Sequence, residues 1–79
     1  MAYDEEKDVL IEDLGPIGDT GMFAEVRCYD PEEGGQNKLS VKRLVGKDKD
    51  KVRQVCRITL DEAWELGKFI VANEAALAD

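Results

Sequence analysis

The sequence predicts an α+β fold in which a four-stranded antiparallel sheet is followed by one C-terminal helix, in the order β-β-β-β-α. Four short segments alternate apolar and polar side chains with a period of two, and each is bounded by residues that favour turns. After about residue 61 the pattern changes to carboxylates followed by a long apolar run, which is typical of a helix. Because 79 residues suffice for one domain only, we predict a single domain, 9–79, after a flexible acidic tail, 1–8.

The predicted strands span 9–14, 22–29, 39–45 and 52–60, and the turns between them are rich in glycine, aspartate and proline. Strand alternation divides the side chains between two faces of the sheet. The face that we expect the helix to cover collects Met22, Ala24, Val26, Cys28, Leu39, Val41, Cys56, Ile58 and Leu60. Each cysteine lies in an apolar run, so both are predicted to be reduced core thiols.

The C-terminal helix is predicted to extend to the end of the chain. Thr59 and Glu62 have the spacing of a capping box, with Asp61 as a rival N-cap. Apolar residues lie on two sides of this helix, whereas one sheet face covers only one side. We therefore predict a homodimer through the helix, with a partly exposed apolar terminus as the alternative. Its predicted interface residues are Trp64, Leu66, Phe69, Ile70 and Leu77. Gly67 predicts either a close backbone approach or a kink.

Charge is strongly segregated along the chain. The formal net charge is −7, which argues against a globally basic nucleic-acid module. Residues 38–57 nevertheless carry a net charge of +6, between segments that are both acidic. A ligand that docks on this segment would respond mainly to the local charge, because salt screens fields beyond roughly 8–10 Å. A solvated basic hairpin that balances its acidic neighbours is the alternative.

The second face of the predicted sheet combines cations with aromatic rings. Alternation places Phe23, Arg27, Tyr29, Lys42, Arg53 and Arg57 there. Cations can follow the phosphates of a single strand while aromatic rings stack on its bases. The predicted nucleic-acid-binding residues are these six together with Arg43, Lys47, Lys49 and Lys51. The alternative is that the arginines pair with Glu25 and nearby acids across the strands.

The residue types argue against catalysis. Histidine is absent, so Ser40 and Thr59 lack the usual activating base, and two cysteines are too few for a four-thiolate zinc site. We predict no enzyme activity, no catalytic residues, no cofactor and no metal. A charged N-terminus and short apolar runs predict a cytoplasmic protein without a signal peptide or membrane span.

Several segments together resemble a known family. They are 9–15, 38–42 and the junction 57–60, which leads into a helix with Trp64 and Leu66. In this order they resemble the transcriptional positive cofactor four (p fifteen) family, in particular its bacterial YdbC-like branch, over about residues 9–72. The resemblance implies a homodimer with packed helices and curved sheets that form grooves for single-stranded nucleic acid.

The sequence departs from the family pattern at several positions. Lys42 falls on the family's basic strand residue, but Ser40 replaces an acid and Leu44 replaces a common aromatic. The family's Gly-Lys-Gly is here 55–57, Val-Cys-Arg, so that Cys56 replaces the lysine. The resemblance therefore bears more on the fold than on the binding residues.

The function that we predict is binding of single-stranded DNA or RNA, with a role as a transcription cofactor. Two alternatives remain on the same fold. One is a protein-interaction module, whose acidic segments would contact a basic partner or whose free sheet edge would accept a strand. A transcription or replication protein is the partner that we consider. The other is an acidic mimic of nucleic acid.

Overall fold

The computed structural model describes residues 3–78 and shows the predicted β-β-β-β-α order. A 3-10 turn, Glu5–Lys7, leads into β1, Asp8–Pro16, and then β2, Met22–Tyr29. A second 3-10 turn, Pro31–Glu33, precedes β3, Asn37–Val45, and β4, Lys51–Thr59. The helix α1 spans Leu60–Ala72, and the four-residue α2 spans Glu74–Leu77. The strands form one open antiparallel sheet in the order β1-β2-β3-β4, which confirms the predicted fold class.

β1, β3 and β4 begin one or two residues before their predicted starts, and the predicted ends of β1 and β4 were also wrong. Gly15 and Pro16 were assigned to a turn, but they pair with Ala24 and Phe23 as part of β1. Proline is compatible with an edge strand because its missing N–H can face away from the neighbour. Leu60 was assigned to the last strand, but it is the first residue of α1 because the capping box has already formed at Thr59.

Bulges interrupt the pairing of both edge strands. Ile11 and Leu14 are extra residues in β1, and Val55 is an extra residue in β4 between the pairs Val41–Cys56 and Lys42–Gln54. A bulge bends its strand and increases the local twist. It also reverses which face the following side chains occupy, so that strict alternation fails beyond it.

The register confirms the predicted apolar face for the strand residues. Ala24, Val41 and Cys56 form one cross-strand row, and Val26, Leu39 and Ile58 form the next. The well-buried apolar residues of 3–78 are small, Ala24 and Cys28. The two cysteines form no disulfide, and Cys56 is half-buried rather than fully buried. One copy of the described chain therefore has a very small core.

The helix α1 begins at a complete capping box, as predicted. The Glu62 backbone N–H donates to Thr59 Oγ1 at 3.1 Å, and the Thr59 N–H donates to Glu62 Oε1 at 2.8 Å. These bonds lower the pKa of the Glu62 carboxyl. The helix does not continue to the end of the chain, because Asn73 caps α1 by donating from Nδ2 to the Phe69 carbonyl at 2.8 Å.

The helix α1 does not pack flat against the apolar face of the sheet, although the sequence predicts that it does. The contacts of α1 with the sheet are mainly with β3 and β4. Every large apolar side chain of α1 is at least 44% exposed, and Trp64 is 72% exposed. The prediction that the helix lies on one sheet face was therefore wrong within residues 3–78. Within that range, no helix is long and apolar enough to span a membrane.

Candidate nucleic-acid interface

The polar face of the sheet is organised in three cross-strand rows. The central row joins Asp13, Glu25, Ser40 and Arg57 across all four strands. On one side lies Leu10-Arg27-Lys38-Thr59, and on the other lies Pro16-Phe23-Lys42-Gln54. The register thus brings Phe23, Arg27, Lys42 and Arg57 together on one face, as the sequence predicts. Tyr29, which pairs with Asp8, lies beyond Arg27 at the end of this face that is farthest from Phe23.

Five charged side chains on this face form what we call the ion-pair cluster. Arg57 donates to both carboxylate oxygens of Asp8, at 2.7 and 3.1 Å, and Arg27 lies 3.6 Å from the same carboxylate. The Arg27 Nε donates to Glu25 Oε1 at 2.8 Å, and Lys42 Nζ lies 3.0 Å from that oxygen. Its cations, Arg27, Lys42 and Arg57, are thus each paired with a carboxylate. The structure therefore favours the paired-charge alternative for this part of the face.

The ion-pair cluster is also shielded from solvent. The Asp8 and Glu25 side chains are 9% and 12% exposed, and Ser40 beneath the cluster is fully buried. The hydrogen bond from Arg57 lowers the pKa of Asp8, and the bond from Arg27 lowers the pKa of Glu25. The same bonds raise the pKa of both guanidinium groups. These shifts favour the charged forms of Asp8, Glu25, Arg27 and Arg57, which hold one another in place.

The N-terminal segment, Tyr3–Asp8, lies against the same face. The Tyr3 ring packs on the Tyr29 ring with their centroids 5.2 Å apart and their planes tilted by 31°. The Tyr3 hydroxyl donates to Asp8 Oδ2 at 2.7 Å, which raises the Tyr3 pKa. The Asp4 backbone N–H donates to the Tyr29 hydroxyl at 3.0 Å. The predicted stacking ring of Tyr29 is therefore already in contact with another ring of the chain.

A second group of cations lies on and beside the hairpin of β3 and β4. We call Arg43, Lys47, Lys49, Lys51 and Arg53 the hairpin cations. All five are exposed, and none forms an ion pair with any residue of 3–78. Arg43 stands directly opposite Arg53, and Val45 stands opposite Lys51. Like charges in direct opposition destabilise a sheet, so this end of the hairpin favours an anion.

The predicted face of Arg53 was wrong. The bulge at Val55 shifts the register so that Gln54, not Arg53, pairs with Lys42. Arg53 therefore shares the face of Arg43, on the side of the sheet opposite to Arg57. The sequence offers no strong signal for this bulge, because 52–60 reads as one continuous strand.

The residues predicted for the dimer interface all lie exposed on the C-terminal helices. Trp64, Phe69 and Leu77 are each more than 60% exposed, and Leu66 and Ile70 are nearly half exposed. Trp64, Gly67, Lys68, Val71 and Ala72 line an open apolar groove along one side of α1. The described chain itself provides nothing that covers this groove.

Sequence reasoning missed the two residues that organise the polar face, Asp8 and Tyr3. Both were assigned to the acidic tail, and their role depends on contacts across the sheet. Glu25 was named as a partner of the arginines across the strands, and the structure pairs it with Arg27 on its own strand and with Lys42 on β3. Asp8 gives no local signal, since Arg57 lies 49 positions away.

Within residues 3–78, the structure brings together no three side chains of the kinds that ligate metals. Comparisons with protein-family models, curated proteins and solved structures give no match to this chain.

Proposed function

We propose that this chain is a single-stranded nucleic-acid-binding protein whose main phosphate contacts are the hairpin cations. The observation that carries the proposal is the gathering of five exposed cations that have no acidic partner within the described part of the chain. Phosphates between Arg43 and Arg53 would relieve the repulsion of two guanidinium groups that stand opposite each other.

A single strand suits this surface better than a duplex does. One common way to read duplex DNA places a helix with basic residues in the major groove. The helix α1 carries one basic residue, Lys68, and its side chain is paired with Glu65 at 2.6 Å. Half-buried Phe23 lies in one row with Lys42 on the polar face, opposite to the face of Arg43 and Arg53. Its ring can therefore stack on an unpaired base only where a flexible single strand bends around the sheet edge to reach both faces. The resemblance to the positive cofactor four family supports the same function, and a role in transcription with it.

The protein that binds is proposed to be a homodimer through α1. A core of Ala24 and Cys28 is too small to offset the conformational entropy of folding a chain of this length. Apolar residues on both sides of α1 remain exposed, with Trp64 and Val71 near 70%. A second copy that packs its helix against this one would bury the exposed apolar residues of both helices. These residues would then form the larger core that one copy lacks. We therefore expect light scattering to give twice the mass of one chain.

The test is a titration of a fluorescent single-stranded oligonucleotide, with a duplex of the same length as comparison. We expect binding at about 50 mM salt that weakens steeply by about 200 mM, and weaker binding of the duplex. Each phosphate contact to a single strand adds about −0.7 to the slope of log K against log salt. Replacing both Arg43 and Arg53 by alanine should therefore make the slope shallower by about 1.4.

Lys68→Ala is the control, because it removes a cation of α1 and leaves the hairpin intact. Since Lys68 also lines the groove of α1, light scattering must first show that the variant keeps the mass of the wild type. This variant should leave the salt slope unchanged. Absence of binding to any single strand at about 20 mM salt would overturn the proposal, since electrostatic contacts are strongest there.

A protein-interaction module is the second candidate, and the ion-pair cluster favours it. Because Asp8 and Glu25 already neutralise most of the polar face, less charge is available there for phosphates. The exposed apolar groove of α1 would then take a helix of a different protein. A single-chain mass in light scattering, together with no oligonucleotide binding, would favour this candidate.

A further inference from the structure

The N-terminal segment presents to the polar face the same two chemical groups that a nucleotide would present. Tyr3 places an aromatic ring on Tyr29, as a base would. Asp8 places an anion between Arg57 and Arg27, as a phosphate would. Arginine binds carboxylates and phosphates with the same two-pronged geometry, so one anion can replace the other.

We propose that the N-terminal segment is an internal competitor that occupies a nucleotide site formed by Tyr29, Arg27 and Arg57. Single-stranded nucleic acid reaches this site by displacing Tyr3 and the Asp8 carboxylate. The inference rests on the proposed function and deepens it, because it assigns a second site on the polar face, opposite to the face of Arg43 and Arg53. It also explains why predicted binding residues are already paired within the chain.

The segment is attached in a way that allows it to leave. Its 3-10 turn contains three residues, all exposed, and Tyr3 is 63% exposed. Asp8 is the first residue of β1, so that releasing its side chain requires opening only the end of an edge strand. Residues 3–7 are exposed and open at low cost, whereas the shielded Asp8 carboxylate leaves only as phosphate oxygens take over its bonds to Arg57 and Arg27.

The site left behind would be complete for one nucleotide. Tyr29 would expose its ring and its hydroxyl, which now accepts a bond from the Asp4 N–H. Arg57 and Arg27 would each keep an anionic partner, because phosphate oxygens would take the place of the Asp8 oxygens. Arg27 also keeps its bond to Glu25, which fixes the guanidinium during the exchange.

The test compares Asp8→Asn and Tyr3→Ala with the full-length wild type in oligonucleotide titrations at one salt concentration. Both substitutions weaken the competitor, so both should tighten binding, about tenfold for Asp8→Asn. Tyr3 lies outside the sheet, so its replacement keeps the proposal testable even where Asp8→Asn lowers stability.

Glu12→Gln is the matched control. Glu12 is an exposed residue of the same strand, it pairs with Val26 on the other face, and its replacement changes the net charge by the same amount. It should tighten binding much less than Asp8→Asn does. Equal effects of the two substitutions would overturn the proposal, since they would show a general effect of charge.

Hydrogen exchange of the wild type supplies a second readout. The Lys7 amide, which donates to the Asp4 carbonyl, should exchange faster once a single strand is bound, and slower exchange would overturn the proposal. If the wild type binds and neither variant binds tighter, the competitor is wrong and the proposed function stands. If neither wild type nor variants bind at low salt, the proposed function itself is wrong.

Discussion

Arg57 on β4 donates two hydrogen bonds to Asp8 on β1, although two strands lie between them. Neighbouring strands are about 4.8 Å apart, so these edges would be roughly 14 Å apart in a flat sheet. In a flat sheet, the side chains of Asp8 and Arg57 would stand away from the sheet rather than reach across it, and they would not meet at 2.7 Å. The sheet is therefore curved, with the polar face on its concave side, and the three bulges in β1 and β4 supply the bend.

Replacing Arg57 by glutamine should destabilise the fold by about 2 kcal/mol, because it leaves a shielded Asp8 carboxylate with weaker hydrogen bonds. Arg53→Gln, on the same strand, is the matched control. It removes an exposed and unpaired cation, so its effect should lie within about 0.5 kcal/mol of the wild type. Urea unfolding at one protein concentration measures both values. Equal destabilisation by the two variants would contradict the importance of the Asp8 contact.

Stability should fall in acid because of the same cluster. The pKa values of Asp8 and Glu25 are lowered in the folded state, first by the hydrogen bonds from Arg57 and Arg27 respectively. The unfolded chain therefore binds more protons in acid than the folded chain does, and stability rises with pH. This contribution is complete above the ordinary carboxyl pKa, about 4, and is lost as pH falls through the lower folded values.

Urea unfolding between about pH 7 and pH 2 measures this loss. Asp8→Asn should be less stable than the wild type near neutral pH and should lose less stability in acid. An acid dependence identical to that of the wild type would show that Asp8 does not contribute to it.

Gly67→Ala distinguishes the proposed dimer from a chain with a free helix. A Cβ atom at Gly67 would meet nothing within 4 Å in one copy of the chain, so alanine should stabilise an isolated helix by about 1 kcal/mol. If a partner helix packs at Gly67, the added methyl group instead obstructs the approach. We expect the second result, which sedimentation would show as a weaker dimer that needs a higher protein concentration to form. Glu65→Ala, an exposed change on the same helix, is the control.

Gly35→Ala should disrupt the loop between β2 and β3. A Cβ atom at this position would overlap the backbone carbonyl oxygen of Tyr29. Because that oxygen belongs to the backbone, the loop must move, at a cost of about 1–3 kcal/mol. Thermal unfolding should show a clear decrease for this variant. Gln36→Ala, an exposed neighbour, should unfold close to the wild type, and equal behaviour of the two would contradict the steric argument.

Local patterns in the sequence determined the elements of this protein and their order. The alternation in 22–29 is regular, and β2 has the predicted bounds because it contains no bulge. The capping box also depends on residues three positions apart, so the spacing of Thr59 and Glu62 indicated this cap, although the strand pattern assigned Leu60 to the last strand. The same local information predicted the apolar face of the strands.

The tertiary structure decided which cations are paired with carboxylates and which remain free to bind an anion. The bulge at Val55 moved Arg53 to the face of Arg43, and curvature brought Asp8 to Arg57. Both depend on pairing between strands that are distant in the sequence, and a bulge carries little composition signal of its own. The sequence therefore identified the cations, while the folded sheet determined that Arg27, Lys42 and Arg57 are paired and that the hairpin cations are not.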